Sequence, residues 1–400
     1  MKVLFISQYF FPENFRGNDV AFELAKDHDV HVICGTPNYP KGKFYSGYTW
    51  FKRSSEIING VKVTRLPIIP RGNNPVTLFL NYYSFMIVSW LYMLFHAIFH
   101  KYDSVFVQQL SPVMMSISAV LYKKLRKVPL YTWVLDLWPE SLTAGAGITN
   151  PLVLNYFGRY AAKQYRWSDK ILISSNCFRE SIMRFGDYED KIVYFPQWAE
   201  DAFTKDKSDI VIPDLPDGFK IMFAGNVGET QDFNSILAAA KECASRKDIK
   251  WIIVGDGRKM QFVKEYVADN SLEDVVHICG RFPVEAMPSF FEKADMMLVT
   301  LNDSQISKLT APAKIQAYMC AAKPILGMID GEGADLIKKS GCGYVVPAGD
   351  YKGLAELVQR CSELSRTELR NMGSNGKEFY NRYFEKSVCM KNLREIILSK

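Results

Sequence analysis

Residues 221–240 read IMFAGNVGETQDFNSILAAA. The apolar run Ile221–Ala224 stops at Gly225-Asn226-Val227-Gly228, and after Glu229-Thr230-Gln231-Asp232 a helical run, Phe233–Ala240, begins. A short continuous apolar run closed by glycine reads as a strand buried on both faces, and a helix directly behind it is the repeating unit of a parallel sheet. Glycines let the backbone approach a ligand closely, and the free N–H groups that open the helix favour an anion. A plain strand-to-helix turn explains the same fragment, so the chemistry has to come from its neighbours.

The same alternation extends in both directions. Ahead of it, strands are expected at Val3–Ser7, Val30–Cys34, Val61–Leu66, Ser104–Val107, Leu130–Leu135, Ile171–Ser174 and Ile192–Phe195. Behind it they are expected near Trp251–Val254, Val275–Cys279, Met296–Leu301, Pro324–Gly327 and Tyr344–Val346. Charges and two prolines interrupt the pattern over 204–218, TKDKSDIVIPDLPDG, which reads as a linker. The expected layout is therefore a domain over 1–203, the linker 204–218, a domain over 219–380, and a helix over 381–400 packing back on the first domain. Four hundred residues suit two α/β domains, each a doubly wound sheet binding ligands at the carboxyl ends of its strands.

Charge divides unevenly between the two. Residues 1–200 hold 22 Lys and Arg against 15 Asp and Glu, or +7, which leaves −1 for the rest of the +6 chain. The eight cysteines are scattered singly, and Met1-Lys2 leads straight into a strand, so reduced thiols and a cytoplasmic setting are expected. None of the five histidines has companions at zinc-like spacing. Between Arg71 and Lys101 lie 29 residues without a charge. A buried core helix, a helix in a membrane interface and a true span are all long enough readings. A span would interrupt the sheet formed by strands on either side, and Lys123, Lys124, Arg126 and Lys127 could meet anionic lipid heads beside an interfacial helix.

Several loops after strands carry residues suited to chemistry. Gly255-Asp256-Gly257-Arg258 and Gly280-Arg281-Phe282 each bring an arginine that could reach a phosphate or simply be solvated. In Thr310-Ala-Pro-Ala-Lys314-Ile-Gln316, Pro312 marks a helix start and places Lys314 in the first turn, where a cation opposes the helix dipole unless an anionic ligand joins it. Asp136, in Asp136-Leu-Trp-Pro-Glu140-Ser, follows a strand and could handle a substrate proton or cap the next helix. Arg16-Gly17-Asn18 precedes an expected helix Asp19–Lys26 and could contribute to diphosphate binding.

Taken together these segments resemble the retaining glycosyltransferases of family 4. The likeness runs nearly end to end and rests on Asp27-His-Asp-Val-His-Val-Ile-Cys34, Pro37-Asn-Tyr-Pro-Lys-Gly42, Asp136-Leu-Trp-Pro-Glu-Ser141, Gly225-Asn-Val-Gly228, Val254-Gly-Asp-Gly257, Ala294-Asp295, Ala311-Pro-Ala-Lys-Ile-Gln-Ala-Tyr318 and Pro347-Ala-Gly-Asp350. The combination is most similar to the L-fucosamine transferase subgroup acting in bacterial capsule or O-antigen assembly. The resemblance implies an α/β GT-B fold, two doubly wound Rossmann-like domains facing a central cleft. It also implies retaining, metal-independent transfer of an N-acetylated amino sugar such as N-acetyl-fucosamine from a UDP-sugar. The implied acceptor is an undecaprenyl diphosphate-linked glycan, at the inner face of the cytoplasmic membrane with which the protein would associate peripherally.

On that resemblance Asp136 and Glu140 would orient acceptor or sugar. Arg16, Gly17, Gly225, Asn226, Gly228, Gln231, Gly255, Arg258, Arg281, Lys308, Lys314 and Gln316 would bind the nucleotide-sugar. No metal or other cofactor is implied, and the Asp27-His-Asp29 triplet before a strand reads as structural. Some positions depart from the family. Asn226 and Asp232 stand where an Arg and a Lys are usual, Lys308 and Gln316 where two glutamates are usual, and Leu135 where a histidine precedes the aspartate. A nucleotide-sugar epimerase or a catalytically silent UDP-sugar-binding subunit on the same fold are the alternatives. A GxGxxG after a strand, as dinucleotide enzymes have, and a basic-aromatic stripe for nucleic acid are both missing.

Overall fold

The computed structural model describes residues 1–72, 74–204 and 210–398, apart from the side chains of 144–146. It divides into two compact units, 1–195 with 390–400, and 196–389. The stretch expected as a linker, 204–218, belongs to the second unit, and its residues 205–209 lie outside the described residues, as do 399–400.

In the first unit eight strands form one sheet: β1 (Lys2–Ile6), β2 (Asp29–Gly35), β3 (Ser55–Ile58), β4 (Val61–Leu66), β5 (Ser104–Gln109), β6 (Leu130–Val134), β7 (Lys170–Ile173) and β8 (Ile192–Tyr194). Their spatial order is β3-β4-β2-β1-β5-β6-β7-β8. All neighbours run parallel except the β3–β4 hairpin. β3 escaped the reading because it is a half-exposed edge, not a buried run. Its turn, Asn59-Gly60, has both residues at positive φ, the Asn-Gly signal of a tight hairpin. The order reverses between β1 and β5, and Val3–Ile6 and Val105–Val107 are fully buried at this centre.

The uncharged stretch becomes a helix, Pro75–Phe99, opened by Asn74, whose side chain accepts from the Thr77 N–H at 2.9 Å, with Pro75 in the first turn. Asn81, Phe85, Ser89, Met93 and Ala97, one turn apart, form its buried stripe. Only 22% of its most apolar 18-residue window is buried, so a core helix does not describe it. Phe79, Ile87, Leu91, Phe95 and Ile98 are exposed. Arg126 donates to the Ile98 carbonyl at 2.8 Å, setting a cation at the helix's C-terminal end. Lys123 is instead paired with Asp169, and Lys124 lies over the Trp167 ring at 4.4 Å. Within the same unit, Arg394 pairs with Asp27 at 2.9 Å, giving that aspartate a structural partner.

The second unit has a six-stranded, all-parallel sheet: β9 (Phe219–Ala224), β10 (Ile249–Val254), β11 (Val276–Gly280), β12 (Met296–Thr300), β13 (Ile325–Met328) and β14 (Gly343–Val346), ordered β11-β10-β9-β12-β13-β14. The order reverses between β9 and β12. Asp232, standing where a lysine is usual in the resembled family, caps the helix Phe233–Glu242 by accepting from the Ser235 N–H at 3.3 Å.

Candidate functional site

At the carboxyl ends of β9, β10 and β11 the loops enclose a cavity of about 420 Å³. Gly225 and Asn226 follow β9, Gly255, Asp256 and Gly257 follow β10, and Arg281 with Phe282 follows β11. Two glycines are required here by conformation, and one of them, Gly255, by space as well. Gly255 has φ 147° and a Cβ on it would lie 1.8 Å from the Gly225 carbonyl oxygen. Gly225 has φ 140° and its Cβ would lie 2.7 Å from Cε of Lys314. The wall is therefore backbone, and a ligand can approach it to hydrogen-bond distance.

Behind that wall lies the first turn of the helix Ala313–Cys320. Lys314 extends from it so that its ammonium sits 3.6 Å from the centre of the Phe223 ring, with no hydrogen-bond partner. Burial pushes its pKa down to about 7. An ammonium left with only a ring face as company loses several kcal/mol of hydration, which an anion at Gly225 would restore. Gln316, one of the most buried residues of this helix, also leaves its Oε1 unpaired, as does Gln231.

Other expected donor residues are placed elsewhere. Lys308 is held at the surface by Asp303 at 2.5 Å and Asp330 at 3.9 Å, which raise its pKa. Arg258 is exposed and does not line the cavity. Gly228 abuts the Asn226 amide, 2.5 Å from a Cβ placed on it, so it makes room for that side chain. Arg16 and Gly17 belong to the first unit, inside a helix Arg16–Leu24 that starts earlier than the expected Asp19. A Cβ on Gly17 would lie 1.9 Å from Oε1 of Gln108, which makes this glycine a packing residue.

The first unit has its own pocket, about 320 Å³, beyond the ends of β1, β5 and β6 where its strand order reverses. Five rings wall it: Tyr9, Phe15, Tyr39, Tyr82 and Trp138. Tyr9 and Phe15 stack at 5.0 Å, and Trp138 is fixed by donating to the Ser111 hydroxyl at 3.0 Å. Asp136 lines the pocket and accepts from the Ser111 N–H at 2.8 Å. Burial raises its pKa, and that hydrogen bond opposes the rise. Glu140, expected as its companion, opens the next helix and is ion-paired with Arg184 rather than lining the pocket.

Sequence reading missed the aromatic wall and Arg71, because residues from 9 to 142 meet here only through the sheet. It also missed Glu13, whose carboxylate accepts from the N–H groups of Asn38 at 2.7 Å and Tyr39 at 2.6 Å while burial pushes its pKa up to about 7. Glu13 thus holds the Pro37–Gly42 segment that carries Tyr39. A buried acid within Phe-Pro-Glu-Asn was the available signal.

Comparisons with known proteins agree with this architecture. Residues 218–363 match the family model described as glycosyl transferases group 1. Among curated proteins, the "Probable glycosyltransferase WbjE" of Pseudomonas aeruginosa is 26% identical over 251 residues, 60% of this chain and 62% of that one. The amylovoran biosynthesis glycosyltransferase AmsK of Erwinia amylovora is 26% identical over 117 residues, 28% of each chain. The chain thus spans less than two thirds of the length of these relatives. Among solved structures, Anabaena HepE in complex with UDP-glucose superposes with a TM-score of 0.68 at 14% identity, over 100% of both chains. The fold is GT-B, built of two Rossmann-like α/β units.

Proposed function

We propose that the protein is a glycosyltransferase that moves a sugar from a UDP-sugar to a lipid diphosphate-linked glycan in surface polysaccharide assembly. The unpartnered ammonium of Lys314 behind the glycine wall, inside the segment that matches the group 1 glycosyltransferases, carries this reading. The diphosphate of the donor would lie at Gly225 and Gly255, with Lys314 and Arg281 supplying charge, Asn226 and Gln231 polar contacts, and Gln316 a partner for a ribose hydroxyl. WbjE, AmsK and HepE support the reading by their names and, for HepE, by its bound UDP-glucose.

The chemistry assigned to these residues is a retaining substitution. The bond from the anomeric carbon to the diphosphate breaks, and one to the acceptor oxygen forms on the same face. The acceptor proton goes to the departing phosphate. Charge grows on the diphosphate as the bond breaks, and a desolvated ammonium stabilises that growth more than the ground state. No metal is part of this scheme. Asp136 orients the acceptor in the aromatic pocket of the first unit, where ring faces suit a pyranose. The exposed stripe of the Pro75–Phe99 helix, with Arg126 at its end, lies against the cytoplasmic membrane surface in this reading. An N-acetylated amino sugar such as N-acetyl-fucosamine is the proposed transferred group.

Incubation with a panel of UDP-sugars and lipid diphosphate-linked acceptors is the test, reading UDP release and glycolipid product. Product with at least one pair, undiminished by chelator, is the expected result. Conversion of a donor without acceptor would establish an epimerase, and tight UDP binding without turnover a silent binding subunit.

A further inference from the structure

At the other end of the second sheet from the glycine-walled cavity lies a pocket of about 380 Å³ that no step of the proposed transfer uses. Lys220 stands at the start of β9, Asp295 directly ahead of β12 and Pro324 directly ahead of β13, so the pocket opens at the amino ends of these strands. At about 3.3 Å per residue, the run of β9 from Lys220 to Gly225 separates the two cavities by roughly 16 Å. They are distinct binding volumes.

The wall of this pocket concentrates positive charge. Lys220, Lys293, Lys323, Arg366 and Arg370 line it, against the carboxylates of Glu292 and Asp295. Two of these cations are engaged: Lys293 lies 3.8 Å from Asp214, and Lys323 donates to the carbonyls of Glu292 at 3.0 Å and Ala294 at 2.9 Å. Burial lowers the Lys323 pKa while Asp295 and Glu292 oppose it, so both wall carboxylates already face this one ammonium. Lys220, Arg366 and Arg370 have no carboxylate within 4 Å among the described residues. Arg366 and Arg370 stand one turn apart on the helix Arg366–Tyr383, where like charges repel. The chain beyond residue 200 carries a net charge of −1, so the surplus is gathered at this pocket and does not reflect a basic domain.

The framework beneath these side chains is fixed. The Lys220 N–H donates to Oδ2 of Asp295 at 2.8 Å, and the Asp295 N–H donates to the Lys220 carbonyl at 3.0 Å. A Cβ on Gly373 would lie 2.1 Å from the Ala322 carbonyl oxygen, a close approach that sets the helix with its two arginines against the turn at Ala322. Guanidinium groups held on such a frame without a carboxylate suit a phosphate, which they meet with parallel N–H bonds. Among the described lining residues there is no aromatic ring, so a nucleobase has no face to stack on. A concave site of this volume, within the range of about 300–1,000 Å³ for small-molecule pockets, favours a small soluble ligand over the flat surface of a bilayer.

We propose that this pocket binds a small soluble phosphate ester or diphosphate, a polyanion without a nucleobase, held by Lys220, Arg366 and Arg370 at a site separate from the donor cavity. The proposal goes beyond the transfer reading and does not depend on it. Equilibrium dialysis with inorganic diphosphate tests it, on the full chain and on its Lys314→Met variant, which removes the cation of the donor cavity. Diphosphate binding survives in Lys314→Met. Within that background Arg366→Gln and Arg370→Gln each weaken it by about tenfold, from loss of a charge-assisted hydrogen bond. Both arginines are exposed and hold no ion pair among the described residues, so these variants keep the fold. Lys220→Gln, on a different element, weakens binding as well and decides the matter should the helix variants misfold.

UDP affinity, read in the arginine variants with Lys314 in place, stays unchanged, so the two sites are measured separately. Diphosphate binding that is lost in Lys314→Met alone overturns the proposal. So does binding that stays within twofold of the Lys314→Met value when Arg366→Gln and Arg370→Gln are combined. Displacement of the bound diphosphate by phosphatidylglycerol vesicles overturns it too, because the basic wall would then be a lipid headgroup contact.

Discussion

The two pockets both lie beyond the carboxyl ends of parallel strands, that of the first unit where its sheet reverses its order and that of the second over β9, β10 and β11, yet they are built from opposite materials. The cavity of the second unit is walled by backbone, with Gly225 and Gly255 at positive φ and Gly255 with no room for a Cβ, and one ammonium behind it. The pocket of the first unit is walled by five rings around a carboxyl and a guanidinium. Backbone N–H groups suit an invariant part of a ligand, the diphosphate common to nucleotide-sugars, whereas rings and charged side chains select among sugars and lipids. The first pocket should therefore govern which acceptor reacts and how fast, and the second how tightly the donor is held.

Asp136→Asn is the largest test of that division. The substitution keeps the size and the acceptor oxygen toward Ser111 and removes the charge. Sugar transfer should fall by about 100-fold, within the range for a group that orients or assists a proton, while UDP affinity stays within twofold. A matching loss of UDP binding would mean that the two pockets are not separable in this way.

Lys314→Met acts on the other side. The methionine fills the same channel beside Phe223 without a charge, so the fold should be retained or slightly stabilised. UDP-sugar affinity should fall by about 10- to 100-fold, as expected for a charge-assisted contact. Calorimetric titration gives this directly, and unchanged affinity would move the diphosphate away from Gly225.

The division also explains how much could be read from sequence. The glycine turn at 225–228, the GDG at 255–257 and the first-turn Lys314 are local patterns, each within a few residues of a strand end, and the structure brings Gly225, Asn226, Gly255 and Arg281 to one cavity. The strands were legible because they are continuous buried runs; the edge strand β3, half-exposed, was not. The aromatic pocket had no local signature, since Tyr9, Tyr39, Arg71 and Trp138 belong to different loops. Glu140 and Lys308 looked reactive by position alone, but each is ion-paired with a residue that no short motif reveals, Arg184 in one case and Asp303 in the other.

Acidity gives a smaller, graded test. Lys314 has a pKa of about 7 in the unliganded protein, against about 10.4 for an unperturbed lysine. A bound diphosphate favours the ammonium, so binding above pH 7 must draw a proton from solvent. UDP-sugar affinity should fall with rising pH between 7 and 9, by at most about tenfold per unit, and Lys314→Met should flatten this dependence. The contribution of Lys314 to the stability of the unliganded protein has the opposite sense. Between pH 7 and about 10.4 the unfolded chain binds more protons there, so stability gains with pH from this group. Proton uptake measured in buffers of different ionisation enthalpy checks the first statement, and its absence in the wild type would show that Lys314 does not meet the diphosphate.

The smallest expected effect belongs to Lys308, which position in the sequence makes a phosphate ligand and the structure makes a surface ion pair. Its ammonium lies 2.5 Å from Asp303 and 3.9 Å from Asp330, and its side chain is 46% exposed. An exposed pair of this kind contributes little to stability and is weakened by salt. To reach a diphosphate, Lys308 would have to give up two carboxylates, whereas Lys314 gives up only a ring face. Lys308→Ala should therefore change UDP-sugar affinity by less than about twofold, and Lys314→Met should remain the dominant loss in the double variant. A tenfold loss in Lys308→Ala alone would show that the Asp303 pair opens when donor binds, and that charge recruited from a side chain, not only a cation set behind the backbone wall, holds the diphosphate.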